Sequence, residues 1–384
     1  MGREEKEGFS LIIQSDNWGL SMRMEAQEEG LPTVLAEAHR RKGAEIGVWF
    51  GCALPNHFGD WEAEYRMGRQ TVALLDKNYR AYLAFTGPDR IRYLNAILTN
   101  DIKGLKPGHG IVSLFLNPQG HIQAEIETYV QADKLFCVSF AMIRERLVSG
   151  LDKYIIMDDV ILTDDTGAYA TLALEGPQTV SVVQKLTGVA LDSLDELETT
   201  EATVAAIPFR IVKRSPGGTP GAEFLVECGR VEALWNVLET ATRDHGGGPA
   251  GYTALNSIRL EYGMPWFGYD FGEKQIPHEA GLQDSHVSYT KGCYTGQEIV
   301  ERVRSRGQVN RIRVSLKFDG SAAPAPNSSL SSKGQEVGCV TRTGFSPRLN
   351  GFIGMGYVRR EFSVIGTQLH LEDGTSSVIA TPLG

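Results

Sequence analysis

The chain has 384 residues, which is too long for one small core and enough for two or three domains. It is 42% hydrophobic and 22% charged, and its net charge of −9 argues against general nucleic-acid binding, which requires clustered Lys and Arg. No apolar run approaches the roughly 18–20 residues that span a membrane, and the N-terminus lacks the order of a signal peptide, so we expect a cytoplasmic protein.

The five cysteines are widely spaced, and no two of them form a C-x-x-C pair. A zinc or iron–sulfur site built from this chain alone is therefore not expected, and we predict no metal site. Reduced thiols fit a cytosolic protein best. The cysteines are Cys52, Cys137, Cys228, Cys293 and Cys339.

The first elements are predicted in chain order as follows. Residues 1–45 are polar and weakly periodic, which predicts an N-terminal extension, partly helical over residues 31–41. The run RAYLAFTG (80–87) predicts a strand, and the proline after it suits the first turn of a helix. Residues 111–130 predict a hairpin whose turn, Asn117-Pro118-Gln119-Gly120, has a type I sequence.

The pattern of a strand, a Gly-Pro pair and a helix then returns. Gly87-Pro88 and Gly176-Pro177 lie 89 residues apart, and each follows an apolar strand. A third strand–helix unit covers residues 222–241, and a helix that ends at Gly263 follows. We therefore predict two similar α+β halves. After Gly307, short β-type runs alternate with Gly, Ser and Pro, which predicts a separate small barrel or sandwich over residues 307–384.

The stretch KGCYTGQE (291–298) places a cysteine just ahead of a predicted helix. Thr295 and Glu298 have the spacing of a capping box, which predicts a helix of about three turns that begins at Gly296 and ends at Gly307. The positive end of that helix would stabilise a thiolate on Cys293.

Other residues of the stretch suggest a binding role. Lys291 adds a cation, and Gly292 lets the backbone bend and lets a ligand come close. Arg302 and two further arginines on the helix could hold an anion such as a carboxylate. The alternative is that Cys293 is a small buried apolar residue, as a lone cysteine usually is.

This stretch resembles the signature of the YgfZ-type folate-binding proteins, a branch of the glycine cleavage T-protein superfamily. Further resemblances are found over residues 45–384, in LTNDI (98–102), SIRLEYGMPWFGYD (257–270), IPHEAGL (276–282) and GMGYV (354–358). The matching residues of the signature are Lys291, Gly292, Cys293, Tyr294, Gly296, Gln297 and Glu298.

The resemblance implies an α+β fold with two ferredoxin-like folate-binding lobes over residues 46–306, a C-terminal all-β barrel, and a three-lobed arrangement around a central channel. It implies tetrahydrofolate, or a one-carbon-substituted folate, as the cofactor. The implied role is assembly or repair of iron–sulfur clusters in client proteins, with Cys293 responsible and Lys291 beside it. The implied folate contacts are Asn100, Asp101, Glu223, Arg259 and Glu261.

Structural roles are the alternative for several of these residues. Asn100 and Asp101 are typical of helix termination, and Arg259 and Glu261 are at least as typical of an ion pair. For His278 and His286 we expect a surface or packing role.

The second functional hypothesis is a folate-dependent aminomethyltransferase or a related demethylase. T-proteins differ from this chain at three positions: they carry Asp-Asp where it has Ala124-Glu125, a Glu near Thr219, and no cysteine at Cys293. By contrast, residues 49–65 and the C-terminal region resemble T-proteins. A third hypothesis is a scaffold that has lost its cofactor.

Overall fold

A computed structural model describes residues 30–382 of the protein. Residues 1–29 of the predicted N-terminal extension, which covers residues 1–45, therefore lie outside the described residues. The helices are α1 Ala36–Arg41, α2 Trp61–Gln70, α3 Arg90–Ile97, α4 Arg144–Asp152, α5 Thr179–Thr187, α6 Val231–Arg243, α7 Tyr252–Glu261, α8 Pro277–Ala280 and α9 Gln297–Arg306.

Strands β1 to β13 precede the C-terminal region and belong to three sheets. They are β1 Glu45–Trp49, β2 Cys52–His57, β3 Ala73–Asp76, β4 Arg80–Thr86, β5 Gly110–Leu116, β6 Ile122–Val130, β7 Leu135–Phe140, β8 Ile161–Asp164, β9 Tyr169–Glu175, β10 Thr199–Val204, β11 Ile207–Lys213, β12 Gly221–Glu227 and β13 Gly248–Pro249. The C-terminal strands are β14 Arg311–Phe318, β15 Ser329–Ser332, β16 Gln335–Ser346, β17 Gly351–Arg359, β18 Gln368–His370 and β19 Ser376–Ala380.

The first lobe is a five-stranded antiparallel sheet in the order β5-β6-β7-β4-β8. Helix α3 follows β4 and helix α4 follows β7, so β4, β6, β7 and β8 have the ferredoxin-like order and β5 is added at the edge. The predicted hairpin is confirmed: the Gly120 amide donates to Asn117 O at 2.9 Å between β5 and β6. Alternate apolar residues of these strands form a buried core with the two helices, as amphipathic strands require.

The second lobe is a six-stranded sheet in the order β10-β11-β12-β9-β3-β13. Strands β11, β12 and β9 occupy the sheet positions that β6, β7 and β4 occupy in the first lobe, with α5 after β9 and α6 after β12. The fourth position is occupied by β3, which precedes the first lobe in the chain. Helix α1 and the buried Leu35 pack on this lobe, so the described part of the predicted extension is folded.

The backbone conformation and the close packing at each repeated Gly-Pro pair require glycine at the first position. Gly87 has φ +95° and Gly176 has φ +137°, conformations that residues with a Cβ rarely adopt. A Cβ on Gly87 would lie 2.2 Å from Asp159 O, and one on Gly176 would lie 2.6 Å from Thr71 O. The repeat therefore marks equivalent tight turns in the two lobes, and the prediction of two similar α+β halves is confirmed.

The C-terminal strands form a closed barrel in the order β14-β17-β16-β15-β18-β19, which confirms the predicted all-β unit. Its glycines allow neighbouring strands to pack closely, since a Cβ on Gly356 would lie 2.5 Å from Cys339 O. Helix α7 is buried almost throughout, between α2 and barrel strand β16. Between residues 30 and 382, no helix combines the length and the apolar character needed to cross a membrane.

Candidate functional site

Residues 291–298, the motif loop, pack against the first lobe. The Tyr294 side chain is 6% exposed and lies in the core of that lobe. Gly296 has φ +81°, and a Cβ there would lie 2.7 Å from Asn117 O in the turn between β5 and β6. The loop therefore packs against this turn at a distance that only glycine allows.

The predicted capping box is wrong, although the helix itself is confirmed as α9. Its N-cap is Gly296, with no side-chain cap hydrogen bond from the described residues, and Glu298 instead pairs with Arg302 at 2.5 Å. A reciprocal pair of hydrogen bonds is found one residue before the predicted Thr295–Glu298 pair, between Tyr294 and Gln297. The Gln297 amide donates to Tyr294 O, and the Tyr294 amide donates to Gln297 Oε1. The left-handed turn at Gly296 changes the register that the spacing predicted. Gly307, in the left-handed region at the C-cap, ends the helix as predicted.

Lys291 connects the motif loop to the C-terminal end of α3. Its Nζ donates to the carbonyl oxygens of Asn95 in the last turn of α3 and of Leu98 and Asn100 just after that helix. The end of a helix leaves carbonyl groups without partners, and a cation there satisfies them. Burial lowers the pKa of Lys291 to about 8, against the attraction of Asp101, which raises it. The described contacts of Lys291 are thus those of a helix-capping residue.

Cys293 is exposed, so the alternative that it is a small buried apolar residue is wrong. All five cysteines lie among the described residues; Cys228 is half-buried and the other three are buried. The motif residues around Cys293 hold the loop against the first lobe, and the Cys293 thiol itself is exposed to solvent.

Asn100 and Asp101 lie beside Lys291, as the contacts of its ammonium group show. Asn100 Nδ2 donates to Val112 O at 2.9 Å and to Ser285 O at 3.3 Å, and Asp101 Oδ1 accepts from the Lys103 amide. Both side chains are half-buried. The structure therefore brings Asn100, Asp101 and the motif loop together, with Asn100 bonded as a structural residue and Asp101 in a turn.

Glu223 belongs to a separate network of charged side chains, which lies between the sheets of the two lobes. Arg80 pairs with Glu223 at 2.6 Å and with Glu127 at 3.3 Å, and Arg214 Nε lies 3.1 Å from Glu127. Burial acts to raise the pKa of Glu127, but the two guanidinium groups lower it to about 2. Burial raises the pKa of Glu223, against the attraction of Arg80. This network joins the lobes and satisfies Glu223 without a ligand.

Arg259 and Glu261 lie on α7, and each has an oppositely charged partner in the protein, as the ion-pair alternative predicted. Arg259 is 1% exposed and pairs with Asp270, and burial lowers its pKa. Glu261 accepts hydrogen bonds from Tyr65 at 2.8 Å and from Ser346 of the barrel at 2.6 Å. These residues join α7 to its neighbours.

An aromatic group, the junction cluster, lies where the two lobes, α7 and the barrel meet. Arg342 of β16 lies over the rings of Trp49 at 4.9 Å and Tyr269 at 4.6 Å, and Arg259 lies over Trp266 at 4.5 Å. Arg259 Nη2 has no hydrogen-bond partner among the described residues. The cluster comprises Trp49, Phe50, Tyr79, Tyr252, Trp266 and Tyr269.

Two further groups were not found by sequence reasoning. The expectation of a surface or packing role for His286 missed a hydrogen bond of 2.9 Å to Glu125, a residue on another segment of the chain. His109, Asp195 and Glu198 come from loops of the two lobes, and one possible ligand atom of each lies within 4.8 Å of the others. Such a set could hold a divalent metal ion. Neither group has a local spacing signal, because each one joins residues from segments that are distant in sequence.

The comparisons with known families cover most of the chain. The GCVT N-terminal domain matches residues 35–290, and the glycine cleavage T-protein C-terminal barrel domain matches residues 311–383. The chain belongs to the GCVT family. This finding confirms the superfamily that the motifs predicted.

Relatives of this GCVT-family protein include three proteins named aminomethyltransferase. The one from Streptomyces avermitilis is 27% identical, covering 87% of this chain and 91% of the relative. The one from Streptomyces coelicolor is 28% identical, covering 88% and 91%. The one from Halothermothrix orenii is also 28% identical, covering 88% and 94%.

A solved structure shares the fold of this GCVT-family protein. The glycine cleavage system aminomethyltransferase T from Bartonella henselae superposes with a TM-score of 0.82 at 24% identity, covering 92% of this chain and 97% of that one. This similarity confirms the fold class, with its two α+β lobes and C-terminal barrel.

Proposed function

We propose that this protein binds tetrahydrofolate and transfers a one-carbon unit from an aminomethyl donor to it, in agreement with relatives that are named aminomethyltransferase. The observation that carries the proposal is the similarity to aminomethyltransferases along nearly the whole length of both chains. Of the functions the sequence suggested, this second hypothesis agrees better with the relatives than the iron–sulfur role does.

The junction cluster has groups that suit a folate. Flat aromatic rings stack on a pterin or aminobenzoyl ring, and guanidinium groups pair with its amide and carboxylate oxygens. Arg259 Nη2 is a buried donor without a partner among the described residues, beside Trp266. Arg342 is half-buried and lies over two rings of the cluster. Bound tetrahydrofolate would supply the nitrogen atoms that accept the one-carbon unit, while these side chains would orient it and exclude water.

Anaerobic calorimetry with tetrahydrofolate tests the binding site. A micromolar Kd, which corresponds to about −8 kcal/mol, is the expected result. The second step is to measure methylene-tetrahydrofolate formed from an aminomethyl-lipoyl donor. A folded protein that gives no heat with tetrahydrofolate would rule out this function and favour a scaffold that has lost its cofactor.

A second candidate function is favoured by the motif loop. The resemblance to the YgfZ-type branch implies maintenance of iron–sulfur clusters in client proteins through the motif cysteine, and Cys293 in the motif loop is exposed. An exposed thiol can contact a cluster or a client, whereas a buried one cannot.

The two candidates differ in what they require of the thiol. Replacing Cys293 with Ser should leave aminomethyl transfer intact, since T-proteins have no cysteine there, and should abolish support of iron–sulfur enzymes in the host. Cys228→Ser is the matched control, because Cys228 is half-buried and outside the motif loop. Unchanged cluster-enzyme activities with C293S would rule out the second candidate.

A further inference from the structure

One histidine of the first lobe lies close to two carboxylates of the second lobe. His109 precedes β5, and Asp195 and Glu198 precede β10. One possible ligand atom of each residue lies within 4.8 Å of the others. His109 and Glu198 are half-buried, and Asp195 is exposed. This group, the interlobe triad, contains no cysteine, so the cysteine spacing that predicted no metal site gives no information about it.

Backbone contacts on both sides of His109 hold it against the second lobe. The Thr199 amide donates to Gly108 O at 2.7 Å. On the other side, a Cβ on Gly110 would lie 3.1 Å from Leu197 O, so glycine allows the two backbones to approach closely. The main chains of the two lobes therefore fix where His109 lies relative to the carboxylates.

The two carboxylates belong to one turn, residues 195–198. The Glu198 amide donates to Asp195 O at 3.0 Å, and the Asp195 amide donates to Glu198 Oε2 at 2.8 Å. Leu197, inside the turn, is 6% exposed and belongs to a hydrophobic cluster with residues of both lobes. The turn is therefore held at the junction of the lobes by a buried side chain.

The negative charges of this turn are balanced only in part. Glu196 pairs with Arg214 at 3.4 Å. The ammonium group of Lys213 donates to a backbone carbonyl oxygen of the same stretch. Within residues 30–382, no Lys or Arg forms an ion pair with Asp195 or Glu198. Neighbouring carboxylates repel each other, and a cation bound between them would turn this repulsion into attraction.

The types of ligand atom select the kind of cation. An imidazole nitrogen with two carboxylate oxygens suits Zn²⁺, whereas Mg²⁺ and Ca²⁺ prefer oxygen ligands alone. His109 Nδ1 lies 3.4 Å from Pro107 O. In this arrangement a proton on Nδ1 has an acceptor, and Nε2 keeps the lone pair that a metal ion needs.

The spacing of the triad also fits such an ion. Ligand atoms bound to tetrahedral Zn²⁺ at about 2.0–2.2 Å lie about 3.4 Å from one another. The separation of at most 4.8 Å in the triad can shorten to this value when the two carboxylate groups rotate, because their terminal torsions have broad minima. Only side-chain movement is therefore required.

We propose that the interlobe triad binds one Zn²⁺ ion and thereby joins the two lobes. His109, Asp195 and Glu198 supply three ligands, and water completes the coordination. The ion binds the folded protein in preference to the unfolded chain, because folding alone brings the imidazole to the carboxylates. This site does not depend on the proposed folate function, so either one can fail without the other.

The test is a competition titration of Zn²⁺ between the metal-free full-length protein and a chromogenic zinc chelator. The reference protein and all variants carry Cys293→Ser, because the exposed thiol would itself bind zinc. The test variants are His109→Gln and Glu198→Gln.

Two further variants serve as matched controls. Glu196→Gln removes a carboxylate of the same turn that pairs with Arg214. His57→Gln removes a histidine that lies 3.2 Å from Glu45 and is not part of the triad.

We expect the reference protein to bind one Zn²⁺ ion per chain. Removing a group that only supports a metal ligand weakens binding by about 10–100-fold, so loss of a ligand itself should raise the Kd by about a hundredfold or more in H109Q and E198Q. The Kd values of E196Q and H57Q should stay within about twofold of the reference, because neither side chain belongs to the triad.

Urea titrations give a second readout, which reports whether the ion joins the folded lobes. At a Zn²⁺ concentration a hundred times the Kd, the ratio of folded to unfolded protein should rise about a hundredfold in the reference and control proteins. The same concentration should have no effect on H109Q and E198Q. Titrations without zinc show whether each variant folds, and if one test variant does not fold, the other decides.

Three results would overturn the proposal. The first is a reference protein that binds no Zn²⁺. The second is binding that persists in H109Q or E198Q, or that is lost equally in E196Q, because the ion would then lie elsewhere on the surface. The third is binding that leaves the urea midpoint of the reference protein unchanged, because the ion would then not favour the folded pair of lobes.

Discussion

Replacing Gly296 with Ala tests how the motif loop is anchored. An L-residue held in the left-handed region costs about 1–2 kcal/mol, and Gly296 has φ +81°. The added Cβ would also lie 2.7 Å from Asn117 O, a backbone atom that cannot rotate away. Overpacking of this kind costs about 1–3 kcal/mol, so we expect a total loss of about 2–5 kcal/mol in the free energy of unfolding.

Gly292 provides the matched control four residues earlier in the same loop. A Cβ there would meet no atom within 4 Å, and Gly292 does not adopt a left-handed φ. Gly292→Ala should therefore leave the free energy of unfolding within about 1 kcal/mol of the wild-type value. A change of this size would come from the unfolded state, because Ala has fewer accessible backbone conformations than Gly.

Urea titrations followed by tryptophan fluorescence compare the three proteins, and the slopes show whether the transitions are comparable. G296A should have a clearly lower midpoint than G292A. If G296A unfolds at the wild-type midpoint, or if the two variants lose the same stability, the loop is not held by close packing against the Asn117 turn.

Three further predictions concern charge, thiol exposure and burial. Glu127→Gln should remove a pH-dependent contribution: because the folded pKa of about 2 lies below the ordinary 4.5, this contribution is complete above pH 4.5 and is lost as the pH falls towards 2. The stability advantage of wild type over E127Q in urea titrations should shrink by about 2 kcal/mol from pH 6 to pH 3. A thiol-specific chromogenic reagent should label one cysteine rapidly in the folded protein, and this phase should vanish in C293S but persist in C228S. Arg259→Met should lower the free energy of unfolding by about 3–5 kcal/mol in urea titrations, because it removes the cation that pairs with buried Asp270.

The results that would contradict these predictions are specific. A wild-type advantage over E127Q that is constant with pH would mean that Glu127 has no depressed pKa. Fast labelling that persists in C293S would mean that another thiol is accessible in solution. R259M with wild-type stability would mean that the buried carboxylate of Asp270 is satisfied without its guanidinium partner.

Local signals in the sequence predicted much of the fold. The strand β4, the hairpin of β5 and β6, and the strand–Gly-Pro–helix units at Gly87 and Gly176 depend on neighbours in sequence, so local patterns predict them. The pairing of β3 with β9 was not predicted, because strands far apart in sequence leave no local signal of their register.

The site shows the same division. The sequence predicted that Cys293 precedes a helix, since Gly307 and the apolar periodicity of α9 are local. It did not predict that Lys291 caps α3, because that contact joins segments almost two hundred residues apart. The capping box failed for a conformational reason: spacing alone could not show that Gly296 takes a left-handed φ and moves the reciprocal contact to Tyr294 and Gln297.

The position of β3 in the second lobe makes the first lobe an insertion within the second. As the chain leaves the ribosome, β3 emerges before the first lobe and must wait for β9 before it can pair. The first lobe contains all of its own strands and can fold during that interval, whereas the second closes only after the first has been made. A fragment that starts at β9 would expose an unpaired strand edge and should aggregate, so the two lobes cannot be separated by cutting the chain between them.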